Sequence, residues 1–138
     1  MNLSDRANAT QKTFDKFKGK PFAWKDASCA HLLRTHLRNM KHKPPKMPSF
    51  RSAVGAKRAL KEMGADDLVG LLGGLGLMEI APAKMLVGDL AVLPGDDGLF
   101  DAIVVSAGNG KFMGWHGASE GLQMMMDVMP HIKAAFRV

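Results

Sequence analysis

The chain has 138 residues, of which 46% are hydrophobic and 23% charged, a composition that excludes long disorder and collagen-like repeats. Its single cysteine, Cys29, excludes an internal disulfide and cysteine-rich zinc sites. The net charge of +6 is uneven, because residues 1–62 hold fifteen Lys or Arg against four Asp or Glu, whereas residues 63–138 hold four against nine. A basic half of this kind fits either an anionic partner or a solvated helical surface.

The length predicts one domain over residues 1–138. We divide it into an N-terminal helix or arm (1–18), a helical half (19–76) and a β half (77–138). No apolar run reaches the 18 residues of a transmembrane helix, and the polar N-terminus lacks the apolar stretch of a signal peptide. We therefore expect a chain that is made in the cytoplasm, without a membrane span, a cofactor or a metal.

Two helices are predicted in the first forty residues. The first covers residues 3–18 and ends at Gly19, ahead of a short aromatic stretch. Apolar residues at helical spacing predict the second over residues 29–40, with Ser28 as its N-cap. This placement puts Cys29 in the first turn.

Two more helices follow a basic loop at residues 41–48, which three prolines keep from being helical. We expect Ser49 to start the third helix and Gly64 to end it. Asp66 and Asp67 are predicted to begin a short fourth helix, and the two glycines Gly73 and Gly74 are predicted to end it.

The second half reads as a meander of strands. Short β-branched runs predict strands at 90–93, 102–105, 111–115 and 134–138, and residues 94–98 and 108–110 carry turn signals. Residues 122–129, with four methionines, fit either an edge strand or a short helix. Helices followed by antiparallel strands predict an α+β fold.

Cys29 is the first candidate for chemistry. A thiol in the first turn of a helix faces the positive end of the helix dipole and unpaired amides, which lower the pKa of a thiol. Cysteine hydrolases use this placement with a histidine base from elsewhere. A small buried hydrophobe is the alternative reading of a lone cysteine.

Histidines supply the possible bases for this thiol. On the same helix, His31 faces away and His36 lies about two turns on, too far to touch the sulfur. His116 follows a predicted strand and is the only histidine whose position suits a base that returns to the thiol across a sheet. The alternative is that His116 is a histidine of a surface turn. The remaining two lie in the basic loop and after Pro130, at His42 and His131.

The motifs, taken in order, resemble the NlpC-type, papain-like cell-wall cysteine peptidases, and more closely their small relatives encoded in phage and prophage tail gene clusters. The match spans roughly residues 14–138. It rests on the segment from Pro21 to Cys29, the Gly88-Asp89-Leu90 strand, the hairpin of residues 102–112, the helix start at Ser49 to Ala56, and the ending Phe136-Arg137-Val138. The resemblance implies an NlpC-type fold with Cys29 at the position of the nucleophile.

Three departures separate the chain from the catalytic members of that superfamily. Lys25 replaces a glycine, Ser28 replaces the acidic residue before the cysteine, and Asp101 stands where the resemblance implies the catalytic histidine. An aspartate with an ordinary pKa near 4 is a poor base for a thiol near 8.5, and its charge opposes thiolate formation.

Three functions follow as hypotheses. The first is a structural component of a phage tail, at the tail tip, built on a degenerate peptidase fold. Its partners would be other tail-tip proteins, contacted through methionines of residues 124–129. The second is an active hydrolase of peptidoglycan peptides, with Cys29 as nucleophile and His116 as base. The third, a nucleic-acid-binding module that uses the basic half, is the least favoured.

Overall fold

Helices and strands segregate along the chain in the computed structural model, which describes residues 1–95, 100–115 and 121–138. The predicted α+β class is confirmed for these residues. The helices are α1 (Leu3–Phe17), α2 (Cys29–Asn39), α3 (Ala53–Glu62) and α4 (Leu68–Gly74). The strands are β1 (Met78–Ile80), β2 (Leu90–Leu93), β3 (Ala102–Gly108), β4 (Lys111–Gly114), β5 (Gln123–Met125) and β6 (Ala134–Arg137), with 3₁₀ turns at Pro82–Lys84 and Met129–His131.

The described strands form one antiparallel sheet in the order β1-β6-β2-β3-β4-β5. Helix α2 packs between α1 and strand β3. Alternation along β2 sends Leu90 and Val92 to the main core with the helices, and Ala91 and Leu93 to a smaller core on the other face. The start of α2 is therefore held directly against the middle of the sheet.

The predicted boundaries hold where the local signal is strong. Helix α2 begins at Cys29 after Ser28, and β2 covers residues 90–93 as predicted. The two-residue turn Asn109-Gly110 closes the β3–β4 hairpin, with φ angles of 55° and 75°. Positive φ at both positions matches the twist of the flanking strands. The predicted turn at 94–98 falls partly on residues 96–98, which lie outside the described residues.

Two helix boundaries were predicted wrongly. Helix α3 is capped by Ser52, not Ser49, because Ser52 Oγ accepts the Gly55 amide at 3.1 Å and Phe50 packs beside that turn. Helix α4 runs through residues 73–74 and is followed by a left-handed turn at Gly76, with φ +84°.

Strands β4 and β6 each end one residue before the predicted end, and three further strand features add to or differ from the prediction. Strand β3 extends to Gly108, three residues beyond the predicted end. Strand β1 was not predicted, because three residues are too few to show alternation; it forms by pairing with β6. In the ambiguous methionine segment, residues 123–125 form the edge strand β5, and a 3₁₀ turn begins at Met129.

A buried ion cluster joins α1 to the sheet and to the last residues. Asp89 is fully buried, and its Oδ1 accepts from Arg6 Nη2 at 2.6 Å and from the Val138 amide at 3.0 Å. Its Oδ2 accepts from Arg137 Nε at 2.9 Å and from the Leu86 amide at 2.8 Å. The Gly-Asp-Leu and Phe-Arg-Val motifs thus meet at one carboxylate.

Gly114→Ala tests the packing of the β3–β4 pair. A Cβ at Gly114 would lie 2.8 Å from Val104 Cγ1, and the branched valine is itself fully buried. We expect the free energy of unfolding to fall by about 1–3 kcal/mol, measured by urea denaturation. Gly73→Ala is the matched control, because no atom lies within 4 Å there and alanine favours the helix. A loss in the control as large as that in Gly114→Ala would contradict the steric explanation.

Candidate functional site

Cys29 lies at the contact between the first turn of α2 and the sheet. Its side chain is 9% exposed, and Sγ accepts a hydrogen bond from the Ile103 amide of β3 at 3.4 Å. Burial raises the pKa of the thiol, and the amide hydrogen bonds from Ile103 and from its own backbone offset that rise only in part. The expectation that the helix start lowers this pKa is therefore wrong, because desolvation outweighs the amides.

Asp101 directly precedes β3 and borders the same cavity as Cys29. Its Oδ2 forms an ion pair with Lys133 Nζ at 2.8 Å. That contact raises the pKa of the Lys133 ammonium. The carboxylate is thus engaged by a lysine from the segment before β6.

His31 lies in the first turn of α2, where its ring contacts the N-cap residue Ser28. The Ser28 amide donates to His31 Nδ1 at 3.2 Å, and Ser28 Oγ lies 2.8 Å from the same nitrogen. Burial lowers the pKa of the imidazole, which favours the neutral ring that this acceptor role requires. The ring thus caps the helix that carries Cys29.

His36 is buried about two turns after Cys29 along α2. Its Nε2 lies 2.8 Å from the Gly88 carbonyl, which can only accept, so Nε2 carries the proton. Nδ1 of the neutral ring is then an acceptor and lies 2.9 Å from the Thr13 Oγ1 hydroxyl, whose oxygen accepts from Asn39 Nδ2 at 2.9 Å. Burial lowers the pKa of His36 to about 4. The ring links α1, α2 and the turn before β2.

The remaining histidines lie apart from this site or beyond the described residues. His42 and His131 are exposed, in the basic loop and in the second 3₁₀ turn. His116, the candidate base, falls within residues 116–120, outside the described residues. The proposed pairing of Cys29 with His116 therefore remains a prediction.

An apolar cavity of about 360 Å³ opens above Cys29, and we call it the Cys29 cavity. Aromatic rings and aliphatic side chains from the helical half form most of its wall. Trp24 meets Phe22, Phe50 and Phe100 edge to face, with ring centroids 4.8–6.3 Å apart. The lining residues include Phe22, Trp24, Met47, Phe50, Ala56, Ala59, Leu60, Met63, Leu68, Leu71, Phe100 and Trp115.

Trp115 closes the sheet side of this cavity. Its Nε1 donates to the Lys20 carbonyl at 2.8 Å, and its ring packs edge to face on Phe17 at 5.5 Å. The hydrogen bond fixes the ring at the end of β4. The cavity wall is therefore built from residues of both halves of the chain.

The whole chain matches one family. The family described as "Domain of unknown function (DUF6950)" matches residues 1–138. The chain belongs to the DUF6950 family. No curated protein matches the chain.

Sequence reasoning found Cys29 and Asp101 but missed most of the wall around them. In this DUF6950 chain, the aromatic residues of the cavity wall come from four separate segments and follow no helical or strand period. The one sequence signal for this wall was the short aromatic stretch at residues 21–24, which fits neither a helix nor a strand pattern.

The described residues offer no cluster of three or more His, Cys, Asp or Glu side chains that could hold a metal ion. Within the same residues, every helix is too short or too polar to cross a membrane.

Proposed function

We propose that the chain is a catalytically degenerate domain of the NlpC-type, papain-like fold that serves as a structural component of a phage or phage-like tail, at the tail tip. The fold assignment is supported by a thiol at the start of α2 that faces the antiparallel strand β3. The assembly role rests on the resemblance of the motifs to the tail-cluster relatives of that superfamily.

The environment of Cys29 Sγ carries the non-catalytic part of the proposal. The sulfur is a buried hydrogen-bond acceptor whose pKa is raised, so it stays a thiol at neutral pH. Nucleophilic catalysis requires the thiolate and a base within hydrogen-bond reach. Asp101, which the resemblance assigns to the position of the family's histidine, is paired with Lys133 at 2.8 Å and so is not free to take the thiol proton.

The methionines after β4 provide a surface for other tail proteins. Met124, Met126 and Met129 are 42%, 63% and 37% exposed. Flexible, polarizable thioethers adapt to irregular apolar surfaces, which suits a subunit held in a particle.

Mass spectrometry of purified particles tests the assembly role. We expect peptides of this chain in intact particles and in isolated tails, at a constant ratio to other tail proteins. Tail-less heads from the same preparation are the control. Absence of the chain from tails would contradict the proposal.

Alkylation of Cys29 tests the non-catalytic role. We expect iodoacetamide at neutral pH to label the folded chain at least about tenfold more slowly than the chain unfolded in urea, because only the exposed thiolate reacts. Mass spectrometry measures the labelled fraction over time. Fast labelling of the folded chain would contradict the buried, protonated thiol.

A cleavage assay with peptidoglycan peptides distinguishes the degenerate domain that we propose from an active hydrolase. We expect no cleavage of peptidoglycan peptides by the purified chain, and the same result for Cys29→Ser. Cleavage that is lost in Cys29→Ser and in His116→Ala, but kept in the matched His131→Ala, would replace our proposal with the hydrolase.

A further inference from the structure

A long stretch beside the Cys29 cavity is purely cationic. Residues 27–61 contain nine Lys or Arg and no Asp or Glu. Eight of the nine are exposed, and Arg34 is partly buried. None of their side chains forms an ion pair with a described residue. Their positive charge is therefore available to an outside partner.

The same stretch builds one wall of the cavity. Its lining residues Met47, Phe50, Ala56, Ala59 and Leu60 each have an exposed Lys or Arg as an immediate chain neighbour. These neighbours are Lys46, Arg51, Lys57, Arg58 and Lys61. Apolar side chains of α3 and of the segment before it thus line the cavity, while the adjacent cations of the same stretch are exposed to solvent.

The exposed carboxylates near the described wall lie at the end of α3 and before α4, where Glu62 is the chain neighbour of the lining residue Met63. The wall formed by α4 begins after Asp66 and Asp67, which are exposed. Inside the cavity, the carboxylate among the described lining residues is Asp101, which Lys133 neutralises at 2.8 Å. An anionic partner is therefore drawn to the cations of α3 and of the segment before it, and the interior accepts an uncharged group.

We infer that the Cys29 cavity binds an acidic polypeptide segment of a partner protein, with one large apolar side chain inside the cavity and flanking Asp or Glu side chains over α3. A volume of about 360 Å³ accommodates a large aromatic or aliphatic side chain. The inference rests on the proposed non-catalytic function, because a segment held beside Cys29 must survive uncut.

A polypeptide fits these features better than a nucleic acid. Trp24 meets the rings of Phe22, Phe50 and Phe100 edge to face around a cavity, so these rings do not form an open platform for stacked bases. The apolar wall also offers few groups to satisfy the polar edges of a base. A lipid is also a poorer fit than a polypeptide. Its single carboxylate or phosphate would pair with only a few of the five cations between residues 46 and 61.

The probe is a synthetic peptide with one central phenylalanine between two runs of glutamate. The chain's two tryptophans, Trp24 and Trp115, both line the cavity, so their fluorescence reports its occupancy. We expect saturable binding to the full chain, with a change in tryptophan emission and weakening by salt. Replacing the phenylalanine of the probe by serine is expected to weaken binding at least about tenfold.

Charge reversal locates the acidic part of the peptide. The double variant Lys57→Glu/Arg58→Glu is expected to weaken binding at least about tenfold. Lys111→Glu is the control for a charge reversal elsewhere on the surface, because Lys111 is also exposed but lies on β4, and we expect less than about a twofold change. Thermal unfolding of each variant checks that the fold is intact.

Three results would overturn the inference: no binding of the peptide, equal binding of the serine peptide, or equal weakening in Lys111→Glu. Tighter binding of an oligothymidine or of phosphatidylglycerol vesicles than of the peptide would also overturn it. Mass spectrometry of the recovered peptide separates the two proposals. Cleavage of the probe would overturn the proposed function itself, whereas an intact but unbound probe would overturn the inference alone.

Discussion

Replacing Asp89 by Asn is expected to lower the free energy of unfolding by about 3–5 kcal/mol, the range observed when one partner of a buried ion cluster is removed. The carboxylate accepts four hydrogen bonds, two of them from Arg6 and Arg137. Asparagine removes the negative charge between two guanidinium groups and presents a donor where an acceptor is needed. Urea denaturation followed by tryptophan fluorescence measures the loss.

Asp101→Asn is the matched control for this prediction. It makes the same chemical change in an ion pair whose lysine, Lys133, is 45% exposed, and we expect a much smaller loss because solvent screens that pair. Should Asp89→Asn fail to fold, Arg137→Gln removes a single, half-buried partner and is expected to give an intermediate loss. Equal losses for the Asp89 and Asp101 variants would contradict the role assigned to the buried cluster.

Acid is expected to destabilise the chain through His36. The pKa of this ring is about 4 in the folded chain, below the ordinary value of 6.5 that applies to the unfolded chain. Above pH 6.5 the ring is neutral in both states, and its contribution to stability is complete. As the pH falls from 6.5 towards 4, the unfolded chain takes up a proton that the folded chain refuses, which removes about 3 kcal/mol.

The charges around His36 act in both directions on its pKa. Arg6 and His42 lower it, whereas Asp89 and the hydrogen bond to the Gly88 carbonyl raise it, and all are smaller influences than burial. The ring is therefore kept neutral by its position in the core. The same carbonyl contact fixes the proton on Nε2.

Comparison of His36→Gln with His131→Gln isolates this effect. Urea denaturation between pH 7 and pH 4.5 is expected to show a shallower loss of stability in His36→Gln, whereas the exposed His131→Gln should follow the unsubstituted chain. An NMR titration of the His36 imidazole provides a second measurement that needs no variant. A midpoint near 6.5 would show that the ring titrates freely and would contradict the prediction.

Sequence patterns located the elements that short-range preferences control. The cap at Ser28, the apolar run of β2 and the positive-φ turn at Asn109-Gly110 each depend on a few neighbouring residues, and each was predicted correctly. The predicted start of α3 at Ser49 and the predicted end of α4 at residues 73–74 were wrong, because several neighbouring residues could cap or end these helices. The observed cap of α3 is Ser52, whose Oγ accepts the Gly55 amide.

Sequence patterns were enough to predict the α+β order and a lone thiol at a helix start, and the family resemblance assigns an aspartate to the position of a histidine. Three features became visible only in the folded chain: Cys29 is desolvated against Ile103, Arg6 pairs with Asp89 across 83 residues, and aromatic rings from four segments enclose one cavity. Local preferences act over one or two turns of chain, whereas burial and ion pairing depend on groups that meet only when the chain has folded.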